Sequence, residues 1–142
     1  MSWLYENPET LDYGNVDEPI RGLVKAINQS SWLRTEESCC GHPANEVSGW
    51  GNAKILYIRF VVKDAVRIPM LLEFVDLVRA SYGLMIGWHV ALFYDRKDGL
   101  GTHWYFNFEY ASDIANRVIA VDIVLRSFIQ VSIQVSALEG SK

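Results

Sequence analysis

The spacing of apolar residues along the chain alternates between the period of a helix and that of a strand, and the switches mark its elements. Ile20, Leu23, Val24 and Ile27 recur at helical spacing. Pro19, just after Asp17 and Glu18, suits a first helical position, so a helix is predicted over 19–29. A short strand follows through SWLRTEE, and the chain then enters a loop that runs through CCGHPANEVSGWGNA and is broken by Pro43, Gly49 and Gly51. The stretch 54–62, KILYIRFVV, alternates: Leu56, Ile58, Phe60 and Val62 share one face, and Ile55, Tyr57, Arg59 and Val61 the other. Asp64 is placed to cap a second helix over 68–82, in which Leu71, Leu72, Val75, Val78 and Tyr82 form an amphipathic stripe and Gly83 supplies the stop.

The clearest segment is 86–110. Ile86, Trp88, Val90, Leu92 and Tyr94, then Thr102, Trp104, Phe106, Phe108 and Tyr110, put a wall of large side chains on one face of a predicted hairpin. Both even-numbered sets face one core only if Asp95 stands opposite His103 and His89 opposite Glu109. A regular ladder in that register needs an odd loop of three or five residues around KDGLG. It rules out a two-residue Asp98-Gly99 turn, which would bury the wrong face of one strand.

Ser112 or Asp113 can cap a last helix marked by Ile114, Val118, Val121, Leu125 and Phe128. The segment 129–136 alternates well enough to be a strand, but no Gly or Pro separates it from the helix, so a continuing helix is the better reading. The fold class is therefore α+β: a mainly antiparallel four-stranded sheet with helices packed on one face, in the order α-β-β-α-β-β-α. Two ββα units follow the first helix, a duplication of structure with no matching repeat of residues. Residues 1–16 read as an acidic N-terminal arm and 17–142 as a single domain.

At 142 residues, half of them hydrophobic and 21% charged, the chain is long enough to bury a core without disulfide or metal staples. Arg59 and Asp122 interrupt the longest apolar runs, so no membrane span and no membrane partner are expected. The start, MSWLYENPET, has no secretory pattern, which makes a reducing cytoplasm the expected location. Of the net charge of −4, Glu6, Glu9, Asp12, Asp17 and Glu18 carry the acidic excess, and the rest of the chain is nearly balanced. No basic run advertises a nucleic-acid partner.

The sheet face opposite the helices collects Tyr57, Arg59, His89, His103, Tyr105, Asn107 and Glu109. Such a face is either a solvated surface with His89–Glu109 and Asp95–His103 as cross-strand pairs, a ligand platform with aromatics for stacking, or a dimer interface. The loop TEESCCGHP concentrates the remaining chemistry. Cys39, Cys40 and His42 suit zinc, but the second half of a four-ligand site is missing from the linear sequence. Cys39 or Cys40 beside His42 could instead form a reactive thiolate, or the cysteines could be small buried side chains at a Gly41 turn. Adjacent side chains of an extended segment point to opposite faces, so one cysteine can be buried while the other is presented. Ser38, Gly41, Ser48, Gly49 and Gly51 also offer a pocket built from hydroxyl and backbone groups.

A helix ending in IN, a short strand and then TEESCCGH resembles the opening of the tRNA wybutosine-synthesising methyltransferase family that acts on the demethylwyosine base, where a Ser-Cys-Ser-Gly-Arg loop follows a similar helix. It also resembles small uncharacterised bacterial and phage proteins with an ESCCGH loop. Ser38, Cys39 and Gly41 match the family's loop, while Cys40 replaces a serine and His42 an arginine. The resemblance covers residues 17–62 and implies an α/β domain binding S-adenosylmethionine and a tRNA base near this loop.

The leading expectation is thus a small-molecule or modified-nucleotide binding protein, a methyltransferase relative by resemblance. Ser38, Cys40 and Gly41 would shape a cofactor pocket, with His42 and Cys39 as the catalytic candidates. The alternatives are a metal-binding or thiol-redox protein using Cys39, Cys40 and His42, and a non-catalytic interaction module. A homodimer is expected, through the sheet or the last helix. S-adenosylmethionine and zinc are the candidate cofactors.

Overall fold

The computed structural model describes residues 16–41, 55–82, 89–110 and 114–140. A 3-10 turn over Glu18–Ile20 leads into α1 (Arg21–Gln29), followed by β1 (Leu33–Cys39) and β2 (Ile55–Val62). A second 3-10 turn over Ala65–Arg67 opens α2 (Ile68–Tyr82), and β3 (His89–Asp98), β4 (Gly101–Glu109) and α3 (Ile114–Gly140) complete the chain. The four strands form one sheet in the order β1-β2-β4-β3, antiparallel throughout. The α+β class and the expected element order are both observed. The arm lies outside the described residues, apart from Val16, which is buried in the core.

All three helices cover one sheet face. Leu56, Ile58, Phe60 and Val62 of β2 and Phe106 and Phe108 of β4 point into the core with Leu23, Val24 and Ile27 of α1, Leu71, Phe74 and Val78 of α2, and Val124, Phe128 and Val131 of α3. Trp32 is buried with its ring stacked 6.3 Å from Phe128, and Phe74 sits 5.2 Å from Phe106 and edge-on to Phe128. These aromatic contacts add to the area term that drives the layers together. Asp64 caps the turn before α2, accepting from Val66 N–H at 3.1 Å as its position predicts.

The structure corrects the sequence pattern in four places. First, β1 runs through Ser38 and Cys39, so these two residues belong to a strand and the loop starts one step later. Second, the hairpin combines the expected register near its open end with a two-residue turn in place of the expected odd loop. His89 pairs with Glu109 and Tyr94 with Trp104, but a β-bulge at Asp95 brings Arg96, rather than Asp95, opposite His103. Asp98 then pairs with Gly101 around a two-residue turn, Gly99-Leu100. The extra residue changes the parity of the ladder, so a short turn and a common apolar face coexist. Gly101, at φ +130°, leaves no room for a Cβ against the Val62 carbonyl.

Third, the wall of large side chains is covered along only part of its length: Tyr94, on edge strand β3, is 56% exposed and meets Trp104 edge-on, beyond the helix layer. Fourth, the buried stripes of α2 and α3 are rotated from the predicted ones. Phe74 is buried where Leu72 is exposed. On α3, Ala120, Val124, Phe128, Val131 and Val135 are buried while Val118 is 62% exposed. Helix α3 is apolar nearly all round, so periodicity alone does not choose its inner face. It is one continuous helix through 129–136, as expected. Its segment Ala115–Glu139 is also long and apolar enough to cross a membrane, contrary to the expectation that Asp122 breaks the run, and a third of that stretch is buried against the rest of the fold. The described residues form a small α+β domain with an ordinary buried core, an organisation compatible with a soluble protein.

Candidate functional site

Strand register decides what shares the outer sheet face. One row across the sheet runs Cys39, Tyr57, Asn107, Ala91, and the next runs Glu37, Arg59, Tyr105, Phe93. The Tyr57 and Tyr105 rings stack diagonally across these rows, with centroids 5.5 Å apart and planes 19° from parallel. The Arg59 guanidinium lies 5.4 Å from the centre of the Tyr105 ring. Tyr57 donates its hydroxyl proton to Glu37 Oε1 at 2.7 Å, and Arg59 pairs with both Glu37 (3.5 Å) and Asp95 (2.9 Å). Asn107 Oδ1 is buried on this face and has no hydrogen-bond partner among the described residues.

Beyond this aromatic ledge the ion pairs continue into a buried cluster. Both edge strands carry a bulge, β1 at Glu36 and β3 at Asp95, one on each side of the row that runs through Phe60 and Trp104. The bulges add polar side chains to the outer face, where they lie over the two central strands. His103, 1% exposed, lies with Nδ1 2.5 Å from Glu36 Oε1 and Nε2 2.8 Å from Asp98 Oδ1. Arg96 bridges the carboxylates, 2.8 Å from Asp95, 3.4 Å from Glu36 and 3.7 Å from Asp98. The hydrogen bond from His103, then the Leu100 N–H, hold the Asp98 carboxyl below its ordinary range. Asn28 fastens the other side of the β1 bulge, accepting from Thr35 N–H and donating to Thr35 Oγ1, both at 2.9 Å.

The cysteine segment is an elbow braced from three sides. As expected for adjacent residues, the two sulfurs part company: Cys39 is half-buried on the outer face, and Cys40 is 3% exposed within the core. Cys40 N–H donates to Asp17 Oδ2 at 3.3 Å, and its carbonyl accepts from the Tyr110 hydroxyl at 2.8 Å. The buried Arg117 guanidinium of α3 approaches the Gly41 carbonyl at 3.2 Å and the Cys40 sulfur at 3.7 Å. Gly41 holds φ +79°, and a Cβ there would come within 2.5 Å of the Tyr110 hydroxyl and 3.0 Å of the Ile55 backbone. Burial first, then Asp17, push the Cys40 thiol up to about 12 against the pull of Arg117. Burial also raises Cys39, although Gly41 N–H donates to its sulfur at 3.4 Å and partly offsets the effect.

Of the expected site residues, Ser38, Cys39, Cys40 and Gly41 are brought to one sheet edge, and His42 lies outside the described residues. Burial raises both thiols, and the two side chains lie on opposite sides of the strand, Cys39 on the outer face and Cys40 in the core. Among the described residues no group of His, Cys, Asp and Glu side chains is arranged to hold a metal. His89 and Glu109 pair at 2.9 Å as expected, on the exposed surface, where such a pair contributes little. The expected Asp95–His103 pair is replaced by contacts of His103 with Glu36 and Asp98. Glu36, Glu37, Arg96 and Asp98 complete the outer face, and Asp17, Tyr110 and Arg117 the elbow. No local motif marks these residues; bulges and distant helices deliver them. Compared with known proteins, the chain matches no family model, no curated protein and no solved structure.

Proposed function

We propose that this protein binds a small planar molecule, neutral or positively charged, on the outer face of its sheet, beside the Ser38–Gly41 elbow. The Tyr57–Tyr105 stack carries the reading: two parallel rings at the surface offer a ledge on which a further aromatic ring can lie, flanked by Arg59 and Glu37. The unpartnered Asn107 Oδ1 supplies an acceptor for a ring N–H. Charge narrows the ligand class. Glu36, Glu37, Asp95 and Asp98 outnumber Arg59 and Arg96 in the ion-pair network, so the face disfavours phosphates and suits a nucleoside or a cationic compound such as S-adenosylmethionine. Burial raises the Cys39, Tyr57 and Tyr105 protons, so these three groups serve as stacking and hydrogen-bonding surface rather than as acids or bases near neutral pH. A cytoplasmic location fits two neighbouring thiols that form no disulfide.

Titrating adenosine, guanosine, adenosine monophosphate and S-adenosylmethionine into isotope-labelled protein, followed by NMR shifts of Tyr57, Tyr105 and Asn107, tests the reading. Saturable shifts for a nucleoside or S-adenosylmethionine, weaker ones for the monophosphate, and their loss in Tyr105→Ala are expected. If none of the probes moves these resonances at millimolar concentration, the reading is wrong.

A further inference from the structure

Helix α3 has a second apolar stripe on the side away from the sheet. Ala115, Ile119, Asp122, Arg126, Ile129 and Ile133 recur in alternating steps of four and three, the spacing of a coiled-coil seam, and all six are exposed. Ile119, Ile129 and Ile133 are 41%, 46% and 65% exposed, a row of large aliphatic groups that a lone domain gains nothing by showing to water. At the middle of the row Asp122 and Arg126 pair at 2.7 Å within the helix.

About its midpoint the row is self-complementary: opposite charges, Asp122 and Arg126, lie at its centre, with aliphatic side chains outside them on both sides. Place a second α3 against the first, antiparallel, with a twofold axis crossing near Val124. Ile119 then lies level with Ile129 of the second copy, Ala115 with its Ile133, and Asp122 with its Arg126; every contact occurs twice, as a twofold interface demands. A parallel pairing in register would instead set Asp122 against Asp122 and Arg126 against Arg126. Any other protein partner must supply an Arg, an Asp and apolar groups at these spacings, and this chain already supplies them.

We infer that two copies of the chain associate through the exposed face of α3 as an antiparallel helix pair, with the Asp122 and Arg126 charges selecting orientation and register. The dimer leaves both outer sheet faces free on opposite sides, and it stands independently of what those faces bind.

Charge exchange tests the pairing. In sedimentation equilibrium over a concentration series reaching the high micromolar range, the wild-type protein is expected to form dimers. Asp122→Arg alone and Arg126→Asp alone, both at exposed positions and checked for fold by circular dichroism, set like charges together and weaken the dimer at least about tenfold. An equimolar mixture of the two variants restores complementary pairs and recovers a dimer containing one of each. The inference is overturned if the wild type stays monomeric throughout, whether or not it floats with lipid vesicles. It is equally overturned if the single variants dimerise as well as wild type, or if mixing them recovers nothing.

Discussion

Glu36 and His103 meet 2.5 Å apart, 67 positions apart in the chain, in a cluster where the ring is 1% exposed and the carboxylate 7%. A bulge in β1 adds Glu36 to the outer face, and a second bulge in β3 brings Arg96 and Asp98 to the same cluster.

Removing one member of such a buried cluster strands the others. Glu36→Ala is expected to lower stability by about 2 kcal/mol, in the range for leaving buried hydrogen-bonding groups without their partner, and Glu36→Gln by less, since the amide keeps one hydrogen bond. Urea unfolding reads the difference; equal midpoints for Glu36→Ala and wild type would contradict the role assigned to the cluster.

Acid weakens the same region. The Asp98 carboxyl sits below its ordinary range when folded, so its stabilisation is complete above the pH at which the unfolded carboxyl titrates, and is lost as pH falls through the lower folded value. Thermal melts between neutral and strongly acid pH are expected to show a shallower acid limb for Asp98→Asn than for wild type. Parallel limbs would count against the assignment.

The Cys40 thiol has the opposite sign. Pushed up to about 12 in the folded chain, it favours the native state fully below the ordinary thiol range near 9, and that contribution declines as pH rises from there toward 12. Cys40→Ala is expected to flatten this alkaline decline. Iodoacetamide at mildly alkaline pH should label native Cys40 far more slowly than the unfolded protein; rapid native labelling would show an exposed thiolate instead.

Gly41→Ala strains the elbow twice, through its positive φ and through contact with Tyr110 and the Ile55 backbone. A loss of at least about 2 kcal/mol is expected, of which the left-handed backbone alone supplies about 1–2. Adding Tyr110→Phe removes the hydroxyl that clashes but also its bond to the Cys40 carbonyl, so the double variant recovers only part of the loss. Full recovery in denaturant unfolding would place the strain in the side chain and clear the backbone of a part in it.

The legible parts of the site are those that follow strand parity. Alternation in KILYIRFVV and THWYFNFEY was enough to put Tyr57, Arg59, Tyr105 and Asn107 on one face, and adjacency was enough to separate Cys39 from Cys40. Parity failed where a residue was inserted. Asp95 was expected opposite His103 because the ladder was assumed regular, and the Glu36-Glu37 pair could not be assigned to faces for the same reason. Tyr110 and Arg117 joined the elbow with no signal near Cys40, because their contacts with it span 70 and 77 positions.

Local physics, carried by the chain itself, determined the helices, the strands and the apolar sheet face, because each depends on the repeat of side chains a few positions apart. Tertiary structure alone decided where the ladders bulge, which side of the nearly uniform α3 turns inward, and which charges surround His103. Those outcomes depend on competition between distant surfaces for burial: a bulge that reconciles a tight turn with a common core, and one helix face chosen by the sheet and helices that cover it. That choice also leaves Ile119, Ile129 and Ile133 facing water.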